Sequence, residues 1–288
     1  MPPSLSESIQ AEKSLLQQPR IAFIGGGNMA SALIGGWIRR GGDAAGISVV
    51  EPQAEARARL VRDFGVRAVE APDAAALRCD LIVLAVKPQQ MREVCAGLAP
   101  GLDHQTVLSI AAGLRAADLS RWLGGYTRIV RAMPNTPALI GQGVTGLYAD
   151  AAVSDSERAQ AEQVLAAVGT TVWVAEERLI DAVTALSGSG PAYVFHFIEA
   201  MVRGGEALGL SADQAHRLAV ATFTGAAALA AQSPESPGTL RERVTSKGGT
   251  TEAALKSMAA DGVADSIVRA LAAAAARGAE LGDQLGAQ

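Results

Sequence analysis

Two glycine-rich stretches hold the residue types and spacings from which chemistry could be built. The first, Phe23-Ile24-Gly25-Gly26-Gly27-Asn28-Met29-Ala30, follows an apolar run with the pattern of a buried strand. It fits the GxGxxG/A signature with alanine in the third small position. Gly25 permits a tight turn, Gly27 leaves room for a pyrophosphate, and Ala30 lets the next helix approach the sheet. The helix start, with Asn28 and Met29, would offer backbone N–H groups to the anion. The second stretch, Arg243-Val244-Thr245-Ser246-Lys247-Gly248-Gly249-Thr250-Thr251-Glu252, reads as a helix end, a loop and a new helix start. Gly248 and Gly249 relax the backbone, and Thr250 or Thr251 can cap. Unpaired N–H groups, the Ser246 hydroxyl and the helix dipole suit one small carboxylate. A dinucleotide cradle and a carboxylate nest together imply a redox enzyme.

Other residues group around the first stretch. Glu51 closes the second strand pattern, where a carboxylate accepts bonds from an adenosine ribose. That favours NAD, since a 2'-phosphate beside it meets like charge. Arg57 and Arg59 on the next helix are still placed to reach such a phosphate or to be solvated, so NADH and NADPH both stay open. Ala85-Val86-Lys87-Pro88 and Ala111-Ala112-Gly113 close two further strands. Small residues there let a ring or sugar lie against backbone, and Lys87 is placed to touch ribose or phosphate or to be an ordinary edge lysine. Leu186-Ser187-Gly188-Ser189-Gly190-Pro191-Ala192 and Met133-Pro134-Asn135-Thr136-Pro137 break regular structure near the same ends.

Familiar catalytic sets are missing. His104, His196 and His216 have no metal-ligand spacing, so no metal is expected, and His196, within Tyr193-Val194-Phe195-His196-Phe197-Ile198, reads as core or interface. No serine triad motif occurs. Reduction of an already protonated imine needs proximity and orientation more than a strong proton donor.

The elements that must position these residues follow from periodicity. Strands are expected at 20–25, 47–50, 66–70, 81–86, 106–110, 127–132, 144–148 and 170–174, alternating with helices at 28–40, 53–64, 89–98, 115–123 and 154–168. That alternation implies right-handed crossovers and a mostly parallel sheet. From Glu177 onward only helical periods remain, at 177–186, 191–209, 211–232, 237–244, 250–260 and 262–280. The division expected is a tail over 1–18, a dinucleotide-binding domain over 19–176 and an all-helical domain over 177–288.

Composition agrees with an enzyme of this size. The 288 residues are 49% apolar and only 4% aromatic, which favours alanine-rich packed helices over an aromatic β-sandwich. A net charge of -4 with no Lys/Arg block gives no broad attraction to nucleic acid. No apolar run approaches the ~20 residues of a membrane span, and residues 1–18 lack an export signal's apolar core. Cys79 and Cys95 read as buried, reduced thiols. A cytoplasmic enzyme is the expectation, with no nucleic-acid or membrane partner.

Over residues 20–280 the chain resembles the pyrroline-5-carboxylate reductase family. Val244-Thr245-Ser246-Lys247-Gly248-Gly249-Thr250-Thr251 is the most specific stretch. Ala85-Val86-Lys87-Pro88-Gln89, Ala132-Met133-Pro134-Asn135-Thr136-Pro137 and Ala182-Val183-Thr184-Ala185-Leu186-Ser187-Gly188-Ser189-Gly190-Pro191-Ala192-Tyr193 add to it. Family members commonly carry proline where this chain has Lys247, a change in loop stiffness and local charge. The resemblance implies an α/β fold, with an N-terminal Rossmann-like dinucleotide-binding domain and an all-helical C-terminal dimerisation domain. It implies NADPH or NADH as coenzyme, usually NADPH, and 1-pyrroline-5-carboxylate as substrate. The assembly implied is a homodimer, sometimes extended to a decamer of dimers, with substrate between the nicotinamide and the nest. By position, Ser246, Gly249 and Thr250, with Gly248 in the loop, would hold the carboxylate. Thr251 would hydrogen-bond the ring nitrogen as the catalytic residue, and Asn135 and Pro137 would shape the nicotinamide side.

Two other readings are compatible with the motifs. A dehydrogenase of small hydroxy or keto acids would need a central lysine or histidine acid-base, and the lysines are only Lys13, Lys87, Lys247 and Lys256. A non-catalytic nucleotide sensor would leave Ser246–Thr251 without a use.

Overall fold

The computed structural model describes residues 18–287. The tail expected over 1–18 lies outside them except for Gln18, whose side-chain amide donates to the Gly41 carbonyl at 3.1 Å and accepts from the Asp43 N–H at 2.9 Å. Two compact units are present. One takes the chain up to Gly188 and again from Ala275; the other is Ser189–Ala274.

The first unit is built on one sheet of eight strands: β1 Ile21–Ile24, β2 Ile47–Val50, β3 Arg67–Val69, β4 Leu81–Leu84, β5 Thr106–Ser109, β6 Ile129–Met133, β7 Gly143–Ala149 and β8 Gly169–Trp173. Their spatial order is β3-β2-β1-β4-β5-β6-β7-β8. Helices α1 Asn28–Arg39, α2 Ala54–Phe64, α3 Met91–Leu98, α4 Ala116–Trp122 and α5 Asp155–Ala166 supply the crossovers and flank the sheet. The central strands are apolar throughout because both faces are covered. Ile21 and Phe23 of β1 pack with Leu33 and Ile34 of α1 and Leu165 of α5, while Ala22 and Ile24 pack with Met91 of α3 and Leu119 of α4. The chain moves outward from β1 to β2 and β3, then returns to place β4 on the other side of β1. The carboxyl ends of β1 and β4 therefore form the switch point of a Rossmann-like sheet, where ligands bind.

Two features depart from the expected pattern. β7 runs antiparallel to β6. Only a short 3-10 turn, Thr136–Ile140, joins them, too little chain for the dozen or so residues of a parallel crossover. The helix expected at 177–186 is a short α6, Leu179–Val183, followed by a π turn over Thr184–Gly188. Thr184 Oγ1 donates to the Ile180 carbonyl at 2.8 Å and Ser187 Oγ to that of Val183 at 3.0 Å. Such hydroxyls draw on the carbonyls of the helix ladder. Just before α6, Glu177 accepts from the Arg131 guanidinium at 2.7 Å and from the Ala116 N–H at 2.6 Å, holding β6 and the start of α4 together.

The second unit is all helix: α7 Gly190–Ala207, α8 Ala212–Gln232, α9 Pro237–Arg243, α10 Thr250–Ala260 and the first part of α11 Val263–Gly286. α11 continues past the expected end at 280. Ser211 and Gln214 form a capping box that starts α8. Gly205 lets Ala215 close on α7, and the Phe197 and Phe223 rings lie 6.4 Å apart. Only Ala215 and Ala219 are buried apolar side chains among this unit's described residues, while Phe195 stays 61% and Leu218 57% exposed. Apolar stripes of this extent on a water-facing helical layer mark an association surface.

Candidate functional site

The coenzyme candidates all belong to the first unit. Gly25 follows β1 at φ +100°, a left-handed conformation that suits glycine. A Cβ there would stand 2.8 Å from the Ala85 carbonyl oxygen. Gly27 is the N-cap of α1, is exposed, and would meet nothing within 4 Å if it carried a Cβ. No side chain caps this helix, so the first-turn N–H groups, starting with Asn28 and Met29, precede the first intrahelical bond, from Ser31 to the Gly27 carbonyl at 2.9 Å. Ala30 is buried against the core, as a small residue at the helix–sheet contact must be. An open glycine at a helix start, beside donors in need of an acceptor, fits a pyrophosphate.

Glu51 lies one residue beyond β2. Its Oε2 accepts from the Gly26 N–H at 3.0 Å and its Oε1 from the Gln53 N–H at 2.9 Å. Gly26 is less constrained than Gly25: a Cβ there would stand 2.5 Å from Leu60 Cδ1, the end of a flexible side chain, rather than against backbone. The GxGxxG/A pattern gives Gly26 no role, although a middle glycine in an uninterrupted run of three was the available signal. A cavity of about 320 Å³ opens beside this turn, lined among others by Gly25, Pro52, Glu70, Val86, Glu93 and Val94. Its apolar walls suit a purine. Pro52, Glu70, Glu93 and Val94 lie in connections or on a helix face with no motif to reveal them.

Ala85 and Lys87 follow β4, Ala85 half-buried and Lys87 exposed, and Ala111 follows β5 in a buried position. Asn135 and Pro137 follow β6. Asn135 is buried and its amide is engaged: Nδ2 donates to the Ser187 carbonyl at 3.1 Å and Oδ1 accepts from the Val144 N–H at 2.9 Å. Any shaping of a nicotinamide by Asn135 is therefore through the loop it braces. Gly188 is close enough to this loop that a Cβ would lie 2.5 Å from Met133 Cε.

The substrate candidates all belong to the second unit, at the start of α10. The expectation that Thr250 or Thr251 caps this helix is corrected: Gly249 is the N-cap and Thr250 the first helical residue. Two of the supposedly unpaired N–H groups are also satisfied within the loop. The Gly249 N–H donates to the Ser246 carbonyl at 3.0 Å, and the Gly248 N–H to Glu252 Oε2 at 2.5 Å. Glu252 reaches back because it occupies the third helical position, where a capping-box carboxylate sits. The Gly248 N–H first, then Lys256 at 3.0 Å, hold its carboxyl below the ordinary range. At the helix start the N–H groups of Thr250, Thr251 and Glu252 are left for a ligand, ahead of the first intrahelical bond, from Ala253 to the Gly249 carbonyl at 3.2 Å. Ser246 and Thr250 are exposed and Thr251 half-buried. Gly248, at φ +74°, makes the reversal that brings Ser246 to the helix start.

His196 is exposed, its side chain at 75%, so it is no part of a core in the single chain. Among the described residues no three His, Cys, Asp or Glu side chains gather to hold a metal, and no helix is long and apolar enough to cross a membrane.

Comparisons with known proteins bear on both units. Residues 177–281 match the family model for pyrroline-5-carboxylate reductase dimerisation, and residues 20–113 that for NADP oxidoreductase, coenzyme F420-dependent. The pyrroline-5-carboxylate reductase of Pseudomonas aeruginosa is 52% identical over 248 residues, covering 86% of this chain and 91% of that protein. A solved pyrroline-5-carboxylate reductase from Coxiella burnetii superposes with a TM-score of 0.88 at 40% identity, over 92% of this chain and 99% of that one. The Plasmodium falciparum pyrroline carboxylate reductase with NADP bound gives 0.81 at 27% identity, over 93% and 99% of the two chains.

Proposed function

The chain belongs to the pyrroline-5-carboxylate reductase family, and from that premise we propose how its residues reduce 1-pyrroline-5-carboxylate to L-proline with NAD(P)H. The observation that carries the reading is a pair of helix N-termini, each opened by glycine and left without a side-chain cap: Gly27 on α1 and Gly249 on α10.

In this reading Gly25, Gly27, Asn28 and Met29 hold the pyrophosphate, Glu51 the adenosine ribose, and Ala85, Lys87 and Ala111 the backbone-facing side of the dinucleotide. Asn135 and Pro137 shape the loop beside the nicotinamide. When bound, the reduced nicotinamide supplies the hydride that adds to the imine carbon. Thr250, Thr251 and Ser246 present N–H and hydroxyl donors to the substrate carboxylate, with Gly248 and Gly249 setting the loop. The positive end of the α10 dipole adds to their pull. Thr251 Oγ1 orients the ring nitrogen, which takes up the electron pair of the C=N bond as the hydride arrives and keeps its proton as the product amine. Lys247, in the position commonly held by proline, adds a charge that favours an anionic substrate. Orientation rather than strong acid catalysis provides the rate, since the iminium is already electrophilic.

The domains proposed are a coenzyme domain over 19–176 and a substrate and dimerisation domain over 177–288, the latter supported by the family match at 177–281. The exposed apolar side chains of α7 and α8 support a homodimer, and a decamer assembled from dimers would extend the same pairing. The cytoplasm, where reduced coenzyme and free thiols persist, is the proposed compartment.

The test is an anaerobic absorbance assay that follows loss of NADH and of NADPH in parallel with 1-pyrroline-5-carboxylate. Oxidation of coenzyme with stoichiometric proline is expected. Consumption of neither coenzyme by folded, assembled protein would reject the assignment.

A further inference from the structure

We propose that this enzyme takes NADH in preference to NADPH, because the adenosine rim of its coenzyme cradle is walled by carboxylates and its nearest guanidinium is already engaged. The proposal rests on the coenzyme reading of the Gly25–Ala30 turn and goes beyond it to the choice of nucleotide.

Glu51 is held at both oxygens by backbone N–H groups, from Gly26 at 3.0 Å and Gln53 at 2.9 Å. This fixes the carboxylate at the carboxyl end of β2, beside the turn that would carry the pyrophosphate. A carboxylate oxygen has two acceptor directions. The remaining ones can take the two hydroxyl donors of an unmodified ribose. A 2'-phosphate brings only acceptor oxygens and a charge of roughly -1.5 to -2 to the same place.

The surroundings make this worse for NADPH. Glu70, just beyond β3, and Glu93 of α3 line the cavity that opens beside the Gly25 turn. The cation at this rim is Arg57, whose side chain is 21% exposed. Its Nη1 donates to the carbonyls of Glu51 at 2.8 Å and Pro52 at 2.6 Å, and its Nη2 contacts the Glu70 carboxylate at 3.5 Å. A phosphate would have to draw Arg57 off three oxygen partners. Arg59 does not replace it. Two positions along a helix point to different faces, and Arg59 is exposed on α2. Arg57 is thus engaged by Glu70 and two carbonyls beside Glu51, with Glu93 on the wall of the neighbouring cavity, where a phosphate-reading site needs free positive charge.

The experiment measures equilibrium Kd for NADH and NADPH on the purified assembled protein by fluorescence titration without substrate, then kcat/KM for each. NADH is expected to bind about tenfold tighter or more, a ratio reached by one unscreened like-charge contact. The gap should shrink as salt rises, because screening weakens the repulsion. Glu51→Gln should close most of it by improving NADPH binding, with the melting temperature recorded to confirm folding. Equal or tighter binding of NADPH overturns the preference while leaving the cradle intact. A gap that ignores both salt and Glu51→Gln overturns its electrostatic origin. If neither nucleotide binds, the coenzyme reading falls and the preference falls with it.

Discussion

Gly25 and Ala85 touch so closely that a Cβ on Gly25 would stand 2.8 Å from the Ala85 carbonyl oxygen, whereas one on Gly27 would meet nothing within 4 Å. The two glycines are thus separable by experiment. Gly27 has φ -70°, which alanine adopts without strain. Gly27→Ala should lower the melting temperature only slightly, the modest cost of alanine at an N-cap, and weaken coenzyme binding by about tenfold or more, because the methyl would enter the space proposed for the pyrophosphate. Gly25→Ala should cost both coenzyme affinity and about 1–3 kcal/mol of stability, from the left-handed conformation and the clash. Thermal melts with a coenzyme titration on each variant check this. A Gly27→Ala protein binding like the parent would remove the pyrophosphate assignment.

Ser246, in the loop before α10, and Thr251, in its first turn, are assigned different work. Thr251→Ala should lower kcat by roughly tenfold or more while coenzyme Kd stays nearly constant, since the role proposed for its hydroxyl is at the reacting ring. Ser246→Ala should chiefly raise KM for 1-pyrroline-5-carboxylate by about fivefold, the equivalent of one hydrogen bond of about 1 kcal/mol. Steady-state kinetics separates them. Matching losses in kcat from both variants would mean the loop acts as one unit.

The Arg131 side chain is 3% exposed and its carboxylate partner Glu177 25%. Glu177→Ala would strand that guanidinium and take the acceptor from the Ala116 N–H. About 3 kcal/mol should be lost, the low end for breaking a buried pair because Glu177 is partly solvated. Urea unfolding should show a lower midpoint with an unchanged slope. A midpoint within error of the parent would show that the contact is not worth its desolvation.

Cys79 and Cys95 are both buried and unpaired. Burial pushes both thiols from an ordinary 9.0 up to about 12, with Asp80 adding to the shift at Cys79. The unfolded chain therefore gives up these protons first. Their contribution to stability is intact below pH 9 and declines as pH rises toward about 12. A disulfide reagent at neutral pH should label neither thiol until urea unfolds the protein. Rapid labelling of the native enzyme would contradict the burial.

Much of the fold was legible because its signals are local. Ile21–Ile24 and Leu81–Leu84 read as buried strands from their unbroken apolar character, and the glycine run between strand and helix announced the turn. The reversal at β7 was not legible, since strand periodicity is the same in either direction; the short link after Met133 decides it. Nor was the π turn at Thr184–Gly188, where hydroxyl bonding and the approach of Met133 decide the geometry.

By itself the sequence determined which residues are small, apolar or charged at each local step, and hence the strands, the helices and two glycine-opened helix starts. Only the tertiary structure decided that Glu51 turns onto Gly26, that Arg57 is held by Glu70 and two carbonyls, and that Glu93 lines a cavity with Glu70. The sheet order places β2 and β3 on one side of β1 and β4 on the other. Glu70 and Glu93, far apart in the chain, therefore line one cavity, and a field summed over such neighbours depends on distance in space rather than on separation in sequence.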